Sequence, residues 1–324
     1  MAKEEKQIIE NNSKNGVNEK IPNNEDSAQN KKVEEEISPL KKLLKKSDVL
    51  LMLYPKDING NFSASIDPED EISIYKLLKE KKEKKKELLI LLDTSGGNVY
   101  SAVKIMDTLR TQYNQINIAI PQEAKSSGTM MCCGANNLIM SSISELGPLD
   151  KPMIHPNDET ARISALDIIK SIDGMLDTAQ QREKDFAKEV NNDFGIPIKQ
   201  SLQLASESIS KLISPMLCRE DVKIYNQAQR LLVIAQKYAT ELLDAHMLKY
   251  IDRKKLKERI IDMTTRQLIW AYPDHSFAIR RDELREWFFI VKNSEDVDYW
   301  DELWDKFYQN IGYKNSKLIK FLDN

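Results

Sequence analysis

Short, largely apolar runs that alternate with amphipathic stretches constrain this chain more than any other feature. Val49 to Tyr54 reads VLLMLY, Leu88 to Leu92 reads LLILL, and Ile116 to Ile120 reads INIAI. A strand apolar along its whole length has no solvent face, so it must lie inside a sheet covered on both sides. Between the second and third runs, Val99, Ala102, Val103, Met106, Leu109 and Tyr113 recur at helical spacing and predict a helix over Asn98 to Tyr113. Glu69 to Glu87 predicts another helix, ending in KEKKEKKKE, whose mixed signs at helical spacing mark a solvated face. Beyond the third run a turn around Ser126 opens a short apolar helix, and Leu138 to Met140 supplies a fourth strand. Strand–helix alternation of this kind predicts an α/β fold with a mostly parallel sheet.

Other stretches lack this pattern. Residues 1 to about 45 are polar, and the first 40 carry no aromatic residue. Such a segment buries too little apolar area to offset its ordering entropy, so a disordered tail is expected before a folded domain over 46–324. Within that domain, Ala161 to Met263 is almost all helical in pattern, and approximately 157–263 is expected to form a large helical insertion. A return segment, Ala271 to Ile279, has strand-like alternation. Helices are then expected over Arg281 to Lys292 and Asp298 to Gln309.

Composition narrows the function classes. Lys plus Arg number 48 against 51 Asp plus Glu, without the basic surplus that nucleic-acid binding calls for. The three cysteines, Cys132, Cys133 and Cys218, are odd in number and two are adjacent, which argues against a disulfide framework and for a reducing compartment. The first residues have no apolar core of a signal peptide, and the apolar runs are too short to span a bilayer; a cytoplasmic location is expected. No spacing of His, Cys or acidic residues matches a metal site and no phosphate-binding glycine loop occurs, so neither metal nor cofactor is expected.

Two turns carry candidate chemistry, each following a strand and opening a helix. Asp93-Thr94-Ser95-Gly96-Gly97-Asn98 pairs two glycines, which let backbone N–H groups approach a ligand beside a helix N-terminus. Ala124-Lys125-Ser126-Ser127-Gly128-Thr129 sets a serine at the next such turn. Alone, the first reads equally as a tight turn and the second as a helix N-cap. Together, DTSGGNVYSA and AKSSGTMMCCGA resemble, in order, the two motifs of the Clp peptidase and signal peptide peptidase A superfamily. NLIMSSISELGPLDKP and YPDHSFAIRRDELRE are similar to segments of its serine dehydrogenase proteinase family.

That resemblance implies a Clp/crotonase-type fold and a serine peptidase acting on peptide or protein substrates. By position in the motifs, Ser126 corresponds to the nucleophile, and Gly97 and Ser127 to the oxyanion-hole donors. Ser127 is the alternative nucleophile, at the expense of the Ser-x-Gly spacing. The general base stays open between His275, in the place of the third triad member, His155 in Met-Ile-His-Pro, and Lys170, by analogy with relatives that use lysine. His246 reads as a helix-face residue. The resemblance also implies a homo-oligomer, and a separate unfoldase or membrane partner if one is needed. The rivals are a crotonase-like acyl-CoA enzyme and a scaffold that has kept the fold without catalysis.

Overall fold

The computed structural model describes residues 38–55, 64–150, 152–155, 158–218, 221–311 and 317–322; the side chains at 152, 154–162 and 311 lie outside that description. Its elements, in chain order, are α1 (Pro39–Lys46), β1 (Ser47–Leu53), α2 (Pro68–Glu80), β2 (Glu87–Asp93), α3 (Val99–Arg110), β3 (Gln115–Ile120) and β4 (Glu123–Ala124). They continue with α4 (Ser127–Cys133), β5 (Asn137–Met140), β6 (Glu145–Leu146), β7 (Pro152–His155), β8 (Asp158–Ser164), α5 (Ala165–Phe194) and α6 (Ile198–Leu217). The last are α7 (Val222–Ala245), α8 (Lys254–Trp270), β9 (Ile279–Arg280), α9 (Arg281–Glu286), β10 (Val291–Asn293), α10 (Trp300–Ile311) and β11 (Leu318–Phe321).

The apolar runs form the centre of a six-stranded sheet in the order β10-β5-β3-β2-β1-β11. All its pairs are parallel except β1 with β11, an antiparallel edge. Alternate residues serve two cores, as a period-2 strand requires. Leu50, Met52, Ile90 and Leu92 face the side covered by α2, α3, α4, α7 and α8. Val49, Leu51, Leu53, Leu89 and Leu91 face α1 and α10 through Leu40, Leu44, Leu303 and Phe307. The expected α/β fold with a mostly parallel sheet is what the chain adopts.

Several boundaries differ from expectation, each for a local reason. The helix expected over Glu69 to Glu87 stops at Glu80. Beyond it, buried Asp48 collects the Lys81 ammonium at 3.3 Å, the Lys85 N–H at 3.1 Å and the Tyr113 hydroxyl at 2.9 Å, which draws the lysine run off the helical path. The tail expected over 1–45 overlaps α1: Leu40, just before KKLLKK, and Leu44 within it are buried, and Ser38 caps the helix. Residues 1–37 lie outside the described residues. The helix expected to run to Lys292 ends at Glu286. Phe288 takes a left-handed φ of 66°, and the chain turns into β10, which adds to the sheet beside β5. Strand character in Ala271 to Ile279 shrinks to Ile279 and its neighbour Arg280, because Asp274 folds the segment into a turn by accepting the Ser276 N–H at 2.7 Å.

In the region read as a helical insertion, a β7–β8 hairpin comes first and the helices α5 to α8 follow. His246 lies just past α7, not on its face. Its pKa is pushed down to about 4, first by burial and then by Arg110 and Lys249. An unfolded histidine titrates near 6.5, so between that pH and about 4 the unfolded chain binds the extra proton. Stability from this group is therefore lost as pH falls through that window. His246→Gln is expected to show a shallower fall in melting temperature between pH 6.5 and 4 than the wild type. Parallel curves for the two proteins would refute this.

Candidate active site

The two turns singled out in the sequence meet at the carboxyl ends of β2 and β4. Thr94 bridges to Ala124: its N–H donates to the Glu123 carbonyl at 2.9 Å, and its carbonyl accepts from the Lys125 N–H at 3.0 Å. Gly96 and Gly97 follow with φ of 107° and 142°, values that disfavour any side chain. A Cβ at Gly96 would stand 2.7 Å from the Lys125 carbonyl oxygen and 2.8 Å from Ser126 Cβ, so the glycine backbone lies directly against the serine turn. On the other side, Ile66 donates its N–H to the Gly96 carbonyl and accepts the Asn98 N–H, both at 2.8 Å. Asn98 then caps α3 through the N–H groups of Tyr100 and Ser101.

Ser126 immediately precedes α4 and could have been its cap. It is not: its side chain makes no capping hydrogen bond. Its backbone sits at φ 49°, ψ −109°, a conformation costly for a residue with a Cβ and one that persists only where surrounding structure imposes it. Ser126 is 4% exposed, and its hydroxyl donates to the Asp150 main-chain carbonyl at 3.1 Å. Ser127, wholly buried, opens α4 and donates its hydroxyl to the Gly97 carbonyl at 2.8 Å. Among the described residues, neither the Gly97 N–H nor the Ser127 N–H has a hydrogen-bond acceptor. Two unengaged N–H groups beside a serine at a helix N-terminus are suited to an oxyanion.

Asp150 ends the Leu-Gly-Pro-Leu-Asp segment, and its carboxylate makes contacts of its own. One carboxylate oxygen accepts the Leu166 N–H at 3.1 Å, at the N-terminus of the long helix α5, where the helix dipole favours a negative group. The other lies 3.6 Å from His275 Nδ1. His275 sits at the rim, 36% exposed, on the turn organised by Asp274. That turn is fastened to the serine turn by Lys125, whose ammonium meets Glu145 at 2.6 Å and the Ser276 carbonyl at 3.1 Å. The structure thus gathers Ser126, Ser127, Gly97, Asp150 and His275.

The other candidate bases fare differently. The Lys170 ammonium donates to the Tyr272 carbonyl, which occupies it in holding the His275 segment. The His155 side chain lies outside the described residues; its backbone belongs to the β7–β8 hairpin. Asp150 received no role from the sequence, although it follows Ser126 by 24 residues in a motif already noticed. Asp167 was also missed. Burial raises its pKa, with Asp150 and Asp274 adding to the rise and the Ser164 hydrogen bond and His275 opposing it.

The sequence profile of the Clp protease family matches residues 34–196, half of the chain; Gly97, Ser126, Ser127 and Asp150 fall inside that stretch and His275 outside it. An uncharacterized protein of Methanocaldococcus jannaschii is 28% identical over 108 residues, 32% of this chain. The chain spans only 37% of that relative's length. Among solved structures, a mutant of the 1510-N membrane-bound stomatin-specific protease aligns with 12% identity and a TM-score of 0.30, covering 50% of this chain and 72% of its own. Among the described residues no helix is long and apolar enough to cross a membrane.

Proposed function

The chain belongs to the Clp protease family, a peptidase-type family whose members act on proteins and often oligomerise, and we propose that it is a serine peptidase working through an acyl-enzyme on Ser126. One observation carries the reading. Ser126 is held at positive φ, released from capping, against a residue whose carboxylate faces a histidine. Capping does not account for a serine strained in this way, whereas a nucleophile needs such a sharp turn to present Oγ.

In this mechanism Asp150 faces His275 Nδ1 and so leaves Nε2 as the proton acceptor. Ser126 Oγ rotates away from the Asp150 carbonyl and attacks the carbonyl carbon of a peptide bond, and its proton passes to Nε2. The oxyanion that forms is held by the Gly97 and Ser127 N–H groups. As the C–N bond breaks, His275 returns the proton to the departing amine. Water then repeats the cycle on the acyl-enzyme: His275 takes its proton, the ester bond breaks, and Ser126 recovers its hydroxyl hydrogen. Assembly into a homo-oligomer is part of the proposal, as is a separate unfoldase for folded substrates.

The test is fluorophosphonate labelling of the assembled protein, with the modified residue mapped by mass spectrometry. Modification of Ser126 is the expected result. Asp150→Asn keeps an acceptor for the Leu166 N–H but loses the charge facing His275, and is expected to slow labelling about 10⁴-fold without loss of fold. A wild type that resists labelling would instead favour a scaffold that has kept the fold alone. An Asp150→Asn protein labelled at the wild-type rate would remove Asp150 from the mechanism.

A further inference from the structure

An oxyanion hole built on two successive glycines has a physical difficulty. Neither Gly96 nor Gly97 has a side chain to restrain it, so the peptide planes that aim the Gly97 N–H are intrinsically soft. Something must hold them. In a trans peptide the C=O and N–H point in opposite directions. The Ile66 N–H takes the Gly96 carbonyl at 2.8 Å and so turns the Gly97 N–H of that same peptide away from Ile66. The next plane, Gly97 to Asn98, is gripped at both ends: its N–H by the Ile66 carbonyl at 2.8 Å, its carbonyl by the Ser127 hydroxyl at 2.8 Å.

Of these three contacts only the last comes from a side chain, and it comes from the residue that supplies the other N–H of the hole; the Thr94 hydroxyl holds the turn one step earlier, accepting the Gly96 N–H at 3.0 Å. We infer that the Ser127 hydroxyl is a positioning group that locks the glycine turn to the N-terminus of α4, fixing the spacing between the two oxyanion donors. This rests on the serine-peptidase reading above. Without the hydroxyl, the half-buried Gly97 carbonyl loses its partner, and the peptide is free to rotate toward another donor. The Ser127 N–H itself is unchanged by any substitution other than proline, so the hole is loosened and not dismantled. Because the oxyanion exists only after attack, the loss falls on the chemical step and not on substrate binding.

The experiment compares rates of fluorophosphonate labelling, and kcat and KM on a fluorogenic peptide, for wild type, Ser127→Ala, Ser127→Cys and Ser127→Thr. Alanine removes the hydroxyl; cysteine keeps the volume with a much poorer donor, and so serves if the alanine variant does not fold. Both are expected to label to completion about tenfold more slowly than wild type, with kcat lowered similarly and KM unchanged, a fraction of the loss from deleting a donor outright. Threonine keeps the hydroxyl and is expected to restore most of the rate. Labelling by the alanine or cysteine variant within twofold of a labelled wild type overturns the clamp and leaves the nucleophile standing. Equal slowing in all three variants, or a rise in KM at constant kcat, also overturns it. A wild type that is never labelled overturns the underlying reading, and the clamp with it.

Discussion

Ser126→Ala is expected to abolish fluorophosphonate labelling and to lower peptide hydrolysis by about 10⁴ or more, while the protein stays folded and assembled. The fold should tolerate the change because the side chain does little for it. Its one hydrogen bond, to the Asp150 carbonyl, contributes about 1 kcal/mol, and α4 has no side-chain cap to lose. The backbone supplies a second, independent readout. At φ 49° both serine and alanine are strained, whereas glycine is not. Ser126→Gly should therefore be more stable than Ser126→Ala by about 1 kcal/mol, a few degrees in melting temperature, and just as inactive. If Ser126→Ala melts lower than Ser126→Gly by that margin yet labelling survives at Ser126-free protein, strain is real but the nucleophile lies elsewhere.

What could be read in the sequence was what one element decides by itself. Strands buried on both faces announce themselves, since no polar residue interrupts VLLMLY or LLILL. The Gly-Gly and Ser-x-Gly turns were legible for the same reason, each being a local backbone requirement written in residue type. Element ends were less legible because distant groups set them. Asp48, from β1, gathers the lysine run that follows α2, and the free edge of β5 draws residues 291–293 out of a helical pattern into β10. Site residues followed the same division. Ser126 and Gly97 stand out as candidates by pattern, but Asp150 gains its contacts only when the segment after β6 meets the N-terminus of α5 and the turn bearing His275. No spacing in the sequence encodes that meeting. Lys170 was a candidate base by its separation from Ser126 and by analogy with relatives that use lysine, and only the fold shows that its ammonium donates to the Tyr272 carbonyl.

Among the described glycines, Gly97→Ala should be the most damaging added methyl group. The added Cβ would stand 2.3 Å from the Ile66 carbonyl oxygen and 2.6 Å from the Ile66 nitrogen, both backbone atoms that no rotamer change can move aside. The φ of 142° adds strain of its own. Either the segment through Ile66 shifts, giving up its hold on the Gly96 carbonyl and the Asn98 N–H, or the glycine turn rotates; in both cases the Gly97 N–H leaves its place. A loss of about 10²–10³ in labelling rate is expected, the cost of one oxyanion donor, together with about 2–4 kcal/mol of stability from overpacking and strain. Gly174→Ala is the matched comparison. That glycine is exposed in the middle of α5, with nothing within 4 Å of a new Cβ, and the same methyl there should stabilise the protein by about 0.5–1 kcal/mol and leave the labelling rate alone. The sign of the melting shift thus separates the two sites before any activity is measured. A Gly97→Ala protein that melts with the wild type and labels at its rate would show that the turn is an ordinary strand-to-helix connection, and that the oxyanion must be held by other groups.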